Sequence, residues 1–321
     1  MSELEVHLDA DDLARSLRAD VISGLTAETK TLPPKWFYDA RGSELFELIT
    51  ELPEYYPTRS ERQILADRAP EIARHTRATA LLELGSGYST KTRLLLDALT
   101  ASGSLSSYVP MDVSPSALSS AAARISADYP GLRVHNIVGD LTRHLKHLPT
   151  GGNRLIAFLG GTIGNLIPAE RKSFFEDVRS VLEPGEHLLL GTDLVKSPQI
   201  VVPAYDDAQG VTAEFNKNVL RVLNTSLGAD FDLDGFAHVA LWDPDQEWIE
   251  MRLRARWPMR VTVRALELVV DFAAGDEVRT EVSAKFRREG VERELAEAGF
   301  ALDHWWTDRD GLFAVSLARA V

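Results

Sequence analysis

Apolar and polar positions alternate along the chain in two distinct rhythms. Between residues 80 and 191, short continuous apolar runs take turns with stretches in which apolar residues recur every three or four positions. The runs at 80–84, 108–113, 132–138, 155–159 and 187–191 read as buried strands, and 90–99, 115–129 and 169–182 read as helices. Strict alternation of strand and helix predicts parallel strands joined by helical crossovers. The expected fold class is therefore α/β, a doubly wound sheet whose ligand sits at the carboxyl ends of the strands.

From 195 to about 275 this rhythm breaks. Helical spacing spans 211–227, and period-two alternation spans 248–255 and 261–272, which read as antiparallel strands. After 291 the first rhythm returns, with a helix over 291–298 and strands over 300–305 and 312–317. An insertion thus interrupts the α/β domain. Ahead of the domain lie a helix over 11–24 and an aromatic stretch punctuated by prolines. Pro57-Thr58-Arg59-Ser60-Glu61 reads as a helix start, with Thr58 as cap and Glu61 completing a capping box. No fixed-period repeat or low-complexity tract is evident.

Composition narrows the function classes. With 35 basic and 48 acidic residues the formal charge is −13. That balance argues against gripping a phosphate backbone and against docking on anionic membranes. The absence of cysteine excludes disulfides, thiol nucleophiles and thiolate zinc sites. No apolar run approaches the ~18 residues of a membrane span. The acidic start lacks the basic-then-apolar pattern of a signal peptide, so a cytoplasmic location is expected.

Candidate chemistry collects at the predicted strand ends. Glu83-Leu84-Gly85-Ser86-Gly87-Tyr88-Ser89-Thr90-Lys91 lies between the first core strand and its helix. The spacing of a phosphate-binding P-loop is missing, and Ser89 and Thr90 stand where a dinucleotide loop would carry a third glycine. What remains is the glycine loop of S-adenosylmethionine (SAM) methyltransferases. Asp112 ends the next strand, where a carboxylate can accept from both ribose hydroxyls; its plainer reading is a helix cap, a role that Ser114 could also fill. Asp140 ends the third, where it can accept from the adenine amino group or cap the following segment. Lys91 can meet the cofactor carboxylate or stand solvated on the first helical turn. Asn165, in Gly160-Gly161-Thr162-Ile163-Gly164-Asn165-Leu166, sits where a methyl acceptor would lie, although a loop asparagine also suits an unusual backbone angle. The polar-Pro-Pro-aromatic run of DNA- and glutamine-directed methyltransferases is absent there. His144 and His147, interleaved with Arg143 and Lys146, read as a solvated face, so no metal is expected. The glutamates of 292–297 read as solvated too.

Five longer motifs carry a specific resemblance. They are Pro34-Lys35-Trp36-Phe37-Tyr38-Asp39, Leu52-Pro53-Glu54-Tyr55-Tyr56-Pro57-Thr58-Arg59, Glu83-Leu84-Gly85-Ser86-Gly87, Gly161-Thr162-Ile163-Gly164-Asn165 and Thr280-Glu281-Val282-Ser283-Ala284-Lys285-Phe286. Together, over about residues 13–317, the chain resembles the L-histidine Nα-methyltransferases of ergothioneine biosynthesis. The resemblance implies SAM-dependent conversion of L-histidine, through its mono- and dimethyl forms, to the Nα-trimethyl betaine hercynine. It implies a Rossmann-like SAM-binding core over 60–196 and 286–321, and a smaller α+β substrate domain over 1–59 and 197–285. It further implies that Gly85, Lys91, Asp112, Asp140 and Leu141 bind SAM. Tyr55, Asn165 and Tyr205 would hold the amino-acid head, with Gly160 beside them and Tyr38 next to the amine. Glu281 and Ser283 would hold the imidazole, and Met251 would line that end. Tyr88 departs from the small residues expected in such a loop; Trp36 and Tyr56 read more simply as core aromatics. The expected enzyme is a monomer that needs neither metal nor nucleic acid nor membrane. The alternatives are a SAM methyltransferase of another amino acid or amine, and a SAM-binding regulator without turnover.

Overall fold

The computed structural model describes residues 3–87 and 91–321, apart from the side chains of Ser116 and Ala117. Tyr88, Ser89 and Thr90, on which part of the glycine-loop argument rests, lie outside the described residues. The chain runs through β1 (Glu3–Val6), α1 (Ala10–Thr26), β2 (Lys30–Thr31), α2 (Ala40–Thr50), α3 (Tyr56–Thr76), β3 (Ala80–Leu84), α4 (Thr92–Ala101), β4 (Ser107–Asp112), α5 (Pro115–Asp128) and β5 (Arg133–Val138). It continues through β6 (Arg154–Phe158), α6 (Pro168–Val181), β7 (His187–Asp193), α7 (Pro198–Tyr205) and α8 (Val211–Leu227). It ends with β8 (Phe236–Asp243), β9 (Trp248–Ala255), β10 (Met259–Val263), β11 (Leu268–Phe272), β12 (Glu277–Ala284), α9 (Arg288–Glu297), β13 (Phe300–Thr307) and β14 (Phe313–Ala320).

These elements form two compact units, one of Met1–Asp9, Pro57–Leu194 and Phe286–Val321, the other of Ala10–Tyr56 and Val195–Lys285. The first unit holds an eight-stranded sheet in the order β1-β5-β4-β3-β6-β7-β14-β13. Six strands are parallel; β14 pairs antiparallel with β7, and β13 closes the edge antiparallel to β14. This is a Rossmann-like α/β fold. Its central strands are buried on both faces, which is why they read as unbroken apolar runs. Leu65, Ile72, Leu95, Leu99, Tyr108, Leu155, Leu189 and Phe313 belong to one buried cluster of the unit. The second unit has a four-stranded sheet, β2-β12-β9-β8, and the separate hairpin β10-β11.

Three expectations change. Residues 3–6 were grouped with the substrate segment, yet β1 pairs in parallel with β5 at the edge of the core sheet. Glu3-Leu4-Glu5-Val6 does alternate polar and apolar, but the run is only four residues long and both Leu4 and Val6 stay exposed at the sheet edge, so the signal is too short to mark a strand. The alternation over 261–272 read as one strand, but the chain folds back on itself. The turn is a single 3₁₀ turn at Arg264–Leu266, followed by Glu267 at φ 50°. No glycine, proline or asparagine marks that turn, and the alternation runs on through it. Finally, Glu61 makes no capping box. The helix already begins at Tyr56, and Glu61 turns inward.

One buried ion pair fixes the start of β6. Arg154 is 1% exposed, and its guanidinium forms a bidentate pair with Glu186, which also accepts from the Arg154 and Glu183 backbone amides. Removing one partner strands the other in a dry interior. Glu186→Ala is therefore expected to cost about 3–5 kcal/mol in denaturant unfolding. Replacing both residues with Arg154→Met and Glu186→Leu should cost less than the single change.

Candidate active site

In the core sheet, chain order leaves β3 outward through β4 and β5, then returns to β6 on the other side of β3. That reversal opens a crevice beyond the carboxyl ends of β3 and β6. The loop after β3 carries Gly85 at φ 68°, and the loop after β6 carries Gly160 at φ 81°. Both angles favour a residue without Cβ. Gly85 donates to the Met111 carbonyl at 2.8 Å, and a Cβ on it would lie 3.9 Å from Leu141 Cδ1.

Asp112 ends β4, and Asp140 follows the adjacent β5 by two residues. Asp112 accepts from Gly87 N through one oxygen and from Ser114 N through the other, each at 3.0 Å. It therefore pins the glycine loop as well as the start of the next segment. Burial pushes its carboxyl up, opposed by hydrogen bonds from the Gly87, Ser114 and Val113 backbone. Asp140 Oδ1 accepts from Thr142 N at 2.8 Å and Thr142 Oγ1 at 2.7 Å, an Asx turn. A carboxylate has about four lone-pair sites, so these local bonds leave capacity at both strand ends. Gly85 and Gly87 beside two such carboxylates fit an adenosine with a free ribose edge.

Beneath the crevice lies a carboxylate that sequence reasoning assigned elsewhere. Glu61 is 0% exposed, accepts from Gly160 N through both oxygens at 2.8 and 3.0 Å, and pairs with Lys91. Lys91 is thus held rather than solvated. Asn165 ends a 3₁₀ turn, Thr162–Asn165, that starts from the left-handed Gly161.

His144 and His147 do not form a plain solvated face. His144 Nδ1 accepts from Asp140 N at 2.9 Å, and His147 stacks on His7 with ring centroids 3.7 Å apart. Glu5, His7 and His147 bring three potential ligand atoms within 4.8 Å of one another. Two imidazoles stacked at 18° face each other with their rings, which is poor geometry for a shared ion. The α9 glutamates also do more than meet solvent, since Glu294 makes a bidentate pair with Arg171.

The second unit gathers the remaining candidates in two places. Tyr38, 42% exposed, sits edge-on to Phe46 and Phe215 at 5.6 and 5.4 Å, and Phe46 is edge-on to Tyr55 at 6.2 Å. Asp39 caps α2 by accepting from Gly42 N, which sets the position of Tyr38 beside that helix. Phe46 and Phe215 went unnoticed in the sequence because an apolar position on a helix reads as core. On β12, Glu281 stands opposite Met251 of β9, and Ser283 opposite Ile249. Tyr205, closing α7, donates its hydroxyl to Ser283 Oγ at 2.8 Å. Lys285 joins both hydroxyls, at 2.9 Å from Tyr205 Oη and 2.8 Å from Ser283 Oγ. Thr280, Ser283 and Lys285 are all buried, so this is no solvated strand. Tyr56 accepts from Lys196 Nζ at 2.8 Å, and Trp36 donates to Asp20 at 2.9 Å.

A family model described as histidine-specific methyltransferase, SAM-dependent, matches residues 17–320. The chain belongs to this family. It is 57% identical over 312 residues to the histidine N-alpha-methyltransferase of Mycolicibacterium smegmatis, and 55% identical over 312 residues to that of Mycobacterium tuberculosis. Both alignments cover 97% of this chain and 97% of the relative. Ergothioneine biosynthesis protein 1 of Neurospora crassa is 33% identical over 285 residues, which are 87% of this chain and 32% of that longer protein. A SAM-dependent methyltransferase core is expected to hold its cofactor at the carboxyl ends of the strands, beside the glycine loop and these two carboxylates.

Asp112→Ala tests that assignment. It removes charge-assisted hydrogen bonds worth ~1.5–3 kcal/mol each. SAM affinity measured by calorimetry is expected to fall at least tenfold while the circular dichroism spectrum stays native. Unchanged affinity would place the adenosine elsewhere.

Proposed function

We propose that this protein transfers methyl groups from SAM to the α-amine of L-histidine, three times in succession, giving hercynine in the first step of ergothioneine biosynthesis. Alongside the family membership, the observation that carries the substrate is the buried polar cluster at the end of β12. Glu281 and Ser283 stand two residues apart on an extended strand, so their side chains leave the same face. A neutral imidazole has one N–H donor and one acceptor nitrogen. An ionised carboxylate and a hydroxyl two positions apart complement that pattern. Phenylalanine offers a hydrogen bond to neither, and sites built to hydrogen-bond a substrate reject an analogue strongly.

Residue roles follow from this reading. Gly85, Lys91, Asp112, Asp140 and Leu141 bind SAM. Tyr55, Asn165 and Tyr205 take the amino-acid head with Gly160, and Met251 lines the imidazole end. SAM supplies a methyl on a sulfonium whose sulfur leaves neutral, so the chain has no developing oxyanion to stabilise. What the protein contributes is alignment of an unprotonated amine at near-attack distance. Free α-amines titrate near ~8, so neutral amine is available. Tyr38 accepts a hydrogen bond from the amine and keeps its lone pair aimed at the methyl. As methylation proceeds the nitrogen becomes a permanent cation. The aromatic faces of Tyr38, Phe46, Tyr55 and Phe215 suit such a group, because the negative face of a ring quadrupole attracts cations. Hydrogen bonds at the imidazole and carboxylate ends fix the ligand while its nitrogen turns.

Among the described residues no helix is long and apolar enough to cross a membrane. A cysteine-free chain suits an enzyme working on a small amino acid in the reducing cytoplasm.

The test is kcat/KM for histidine, phenylalanine and tryptophan. Glu281→Ala is expected to lower histidine turnover at least tenfold and to raise the relative rates on the other two. A variant that keeps the preference for histidine would mean that the imidazole is read by other residues. Labelled SAM with a panel of amino acids separates this reading from an enzyme of another amine and from a SAM-binding regulator.

A further inference from the structure

Lys285 sits one residue beyond β12 and is 4% exposed. Its backbone N–H donates to the Glu247 carbonyl at 2.8 Å, and its Nζ lies 4.7 Å from the centre of the Tyr205 ring. The same Nζ donates to Tyr205 Oη and to Ser283 Oγ. An ammonium carries three donors and no acceptor, so both hydroxyl oxygens must accept from it.

One proton then lies between the two hydroxyls. With Tyr205 as its donor, Ser283 Oγ accepts from Tyr205 and from Lys285, and both of its lone pairs are used. Ser283 keeps only its own O–H to offer. Ser283 thus presents a donor to a ligand.

We infer that Lys285 is a positioning residue for substrate choice: by filling the second acceptor site of Ser283, whose first is filled by Tyr205, it makes the Ser283 hydroxyl an obligatory hydrogen-bond donor toward the substrate ring. The inference rests on the reading that Ser283 meets the imidazole. Glu281 on the same strand can only accept when ionised. A donor beside an acceptor matches a neutral imidazole in one tautomer. An imidazolium would aim an N–H at a donor, an indole offers only a donor, and a phenyl ring offers neither. Without Lys285 the hydroxyls could turn and accept, and the protonated ring would be admitted.

The experiment uses ring-¹⁵N-labelled hercynine, whose α-nitrogen no longer titrates, bound to the full-length enzyme with S-adenosylhomocysteine at pH 7. Wild type is expected to show two distinct ring resonances, one protonated nitrogen and one unprotonated. Lys285→Met should lose the unprotonated resonance to a protonated or exchange-averaged one and bind hercynine roughly tenfold more weakly. Affinity for S-adenosylhomocysteine should not change. Lys285→Arg, which keeps a donating cation, should retain the split pattern, and Ser283→Ala should lose it with Lys285 in place. A split pattern that survives in Lys285→Met, or an averaged one in wild type, overturns the inference. Failure of wild type to bind hercynine at all would instead overturn the histidine reading beneath it.

Discussion

Four pieces of the core unit meet at one buried carboxylate. Glu61 belongs to α3, yet it accepts from the amide of Gly160 after β6 and pairs with Lys91 at the head of α4. It also packs against β7 so closely that a Cβ on Gly191 would sit 2.1 Å from Glu61 Oε1. A fully buried carboxylate is tolerable only when paired and hydrogen-bonded. Those partners must therefore hold their places, and the two loops flanking the crevice are tied to one point. The neighbouring Glu83 works in the same way. It is buried, and it receives the hydroxyls of Thr92 and Tyr108, joining β3 to α4 and to β4. Two acidic side chains thus stiffen a cofactor loop whose glycines supply no side-chain packing.

The second unit uses a chain of hydrogen bonds for the same end. His238 Nε2 meets the Tyr205 carbonyl at 2.8 Å, so that nitrogen carries the proton. Its Nδ1 then accepts from Asn216 Nδ2 at 2.8 Å, and Asn216 Oδ1 accepts from Thr280 Oγ1 at 2.6 Å. Burial holds the His238 pKa below its ordinary range, which keeps the ring in the neutral form this chain of bonds requires. Asp207 anchors the adjoining turn by accepting from Val211 N at 3.0 Å and Thr212 N at 2.7 Å. Tyr205 is consequently fixed at its backbone by His238 and at its hydroxyl by Ser283 and Lys285.

How far the sequence spoke depended on the kind of signal. The strands of the core sheet were legible because burial on both faces forces unbroken apolar runs such as Leu155-Ile156-Ala157-Phe158. Asp112 and Asp140 were legible because a strand end followed by a turn residue is a local pattern. Glu61 and Lys285 were not, because their partners are distant in the chain: Gly160 is 99 residues from Glu61, and Tyr205 is 80 from Lys285. On a single sequence, a glutamate three residues after a threonine is a capping box, and a lysine at a strand end is surface. Only the folded chain puts each beside groups that need its charge.

That distance between local meaning and folded role explains the division of labour in the site. Groups that meet ligand sit at loop and strand ends, where a ligand can reach them. The charged groups that hold them sit one layer deeper, where removing water makes each hydrogen bond count for more. A repeated methylation gains from this arrangement. The reacting nitrogen changes from a donor-bearing amine to a bare cation, so no fixed hydrogen bond at that atom can serve every round. Alignment has to come from the parts of the substrate that do not change. Under the proposed roles, an imidazole end built from β12, with its hydroxyls held by Lys285, would supply a constraint that is the same in all three rounds, while the aromatic cluster around Phe46 would accommodate the part that varies.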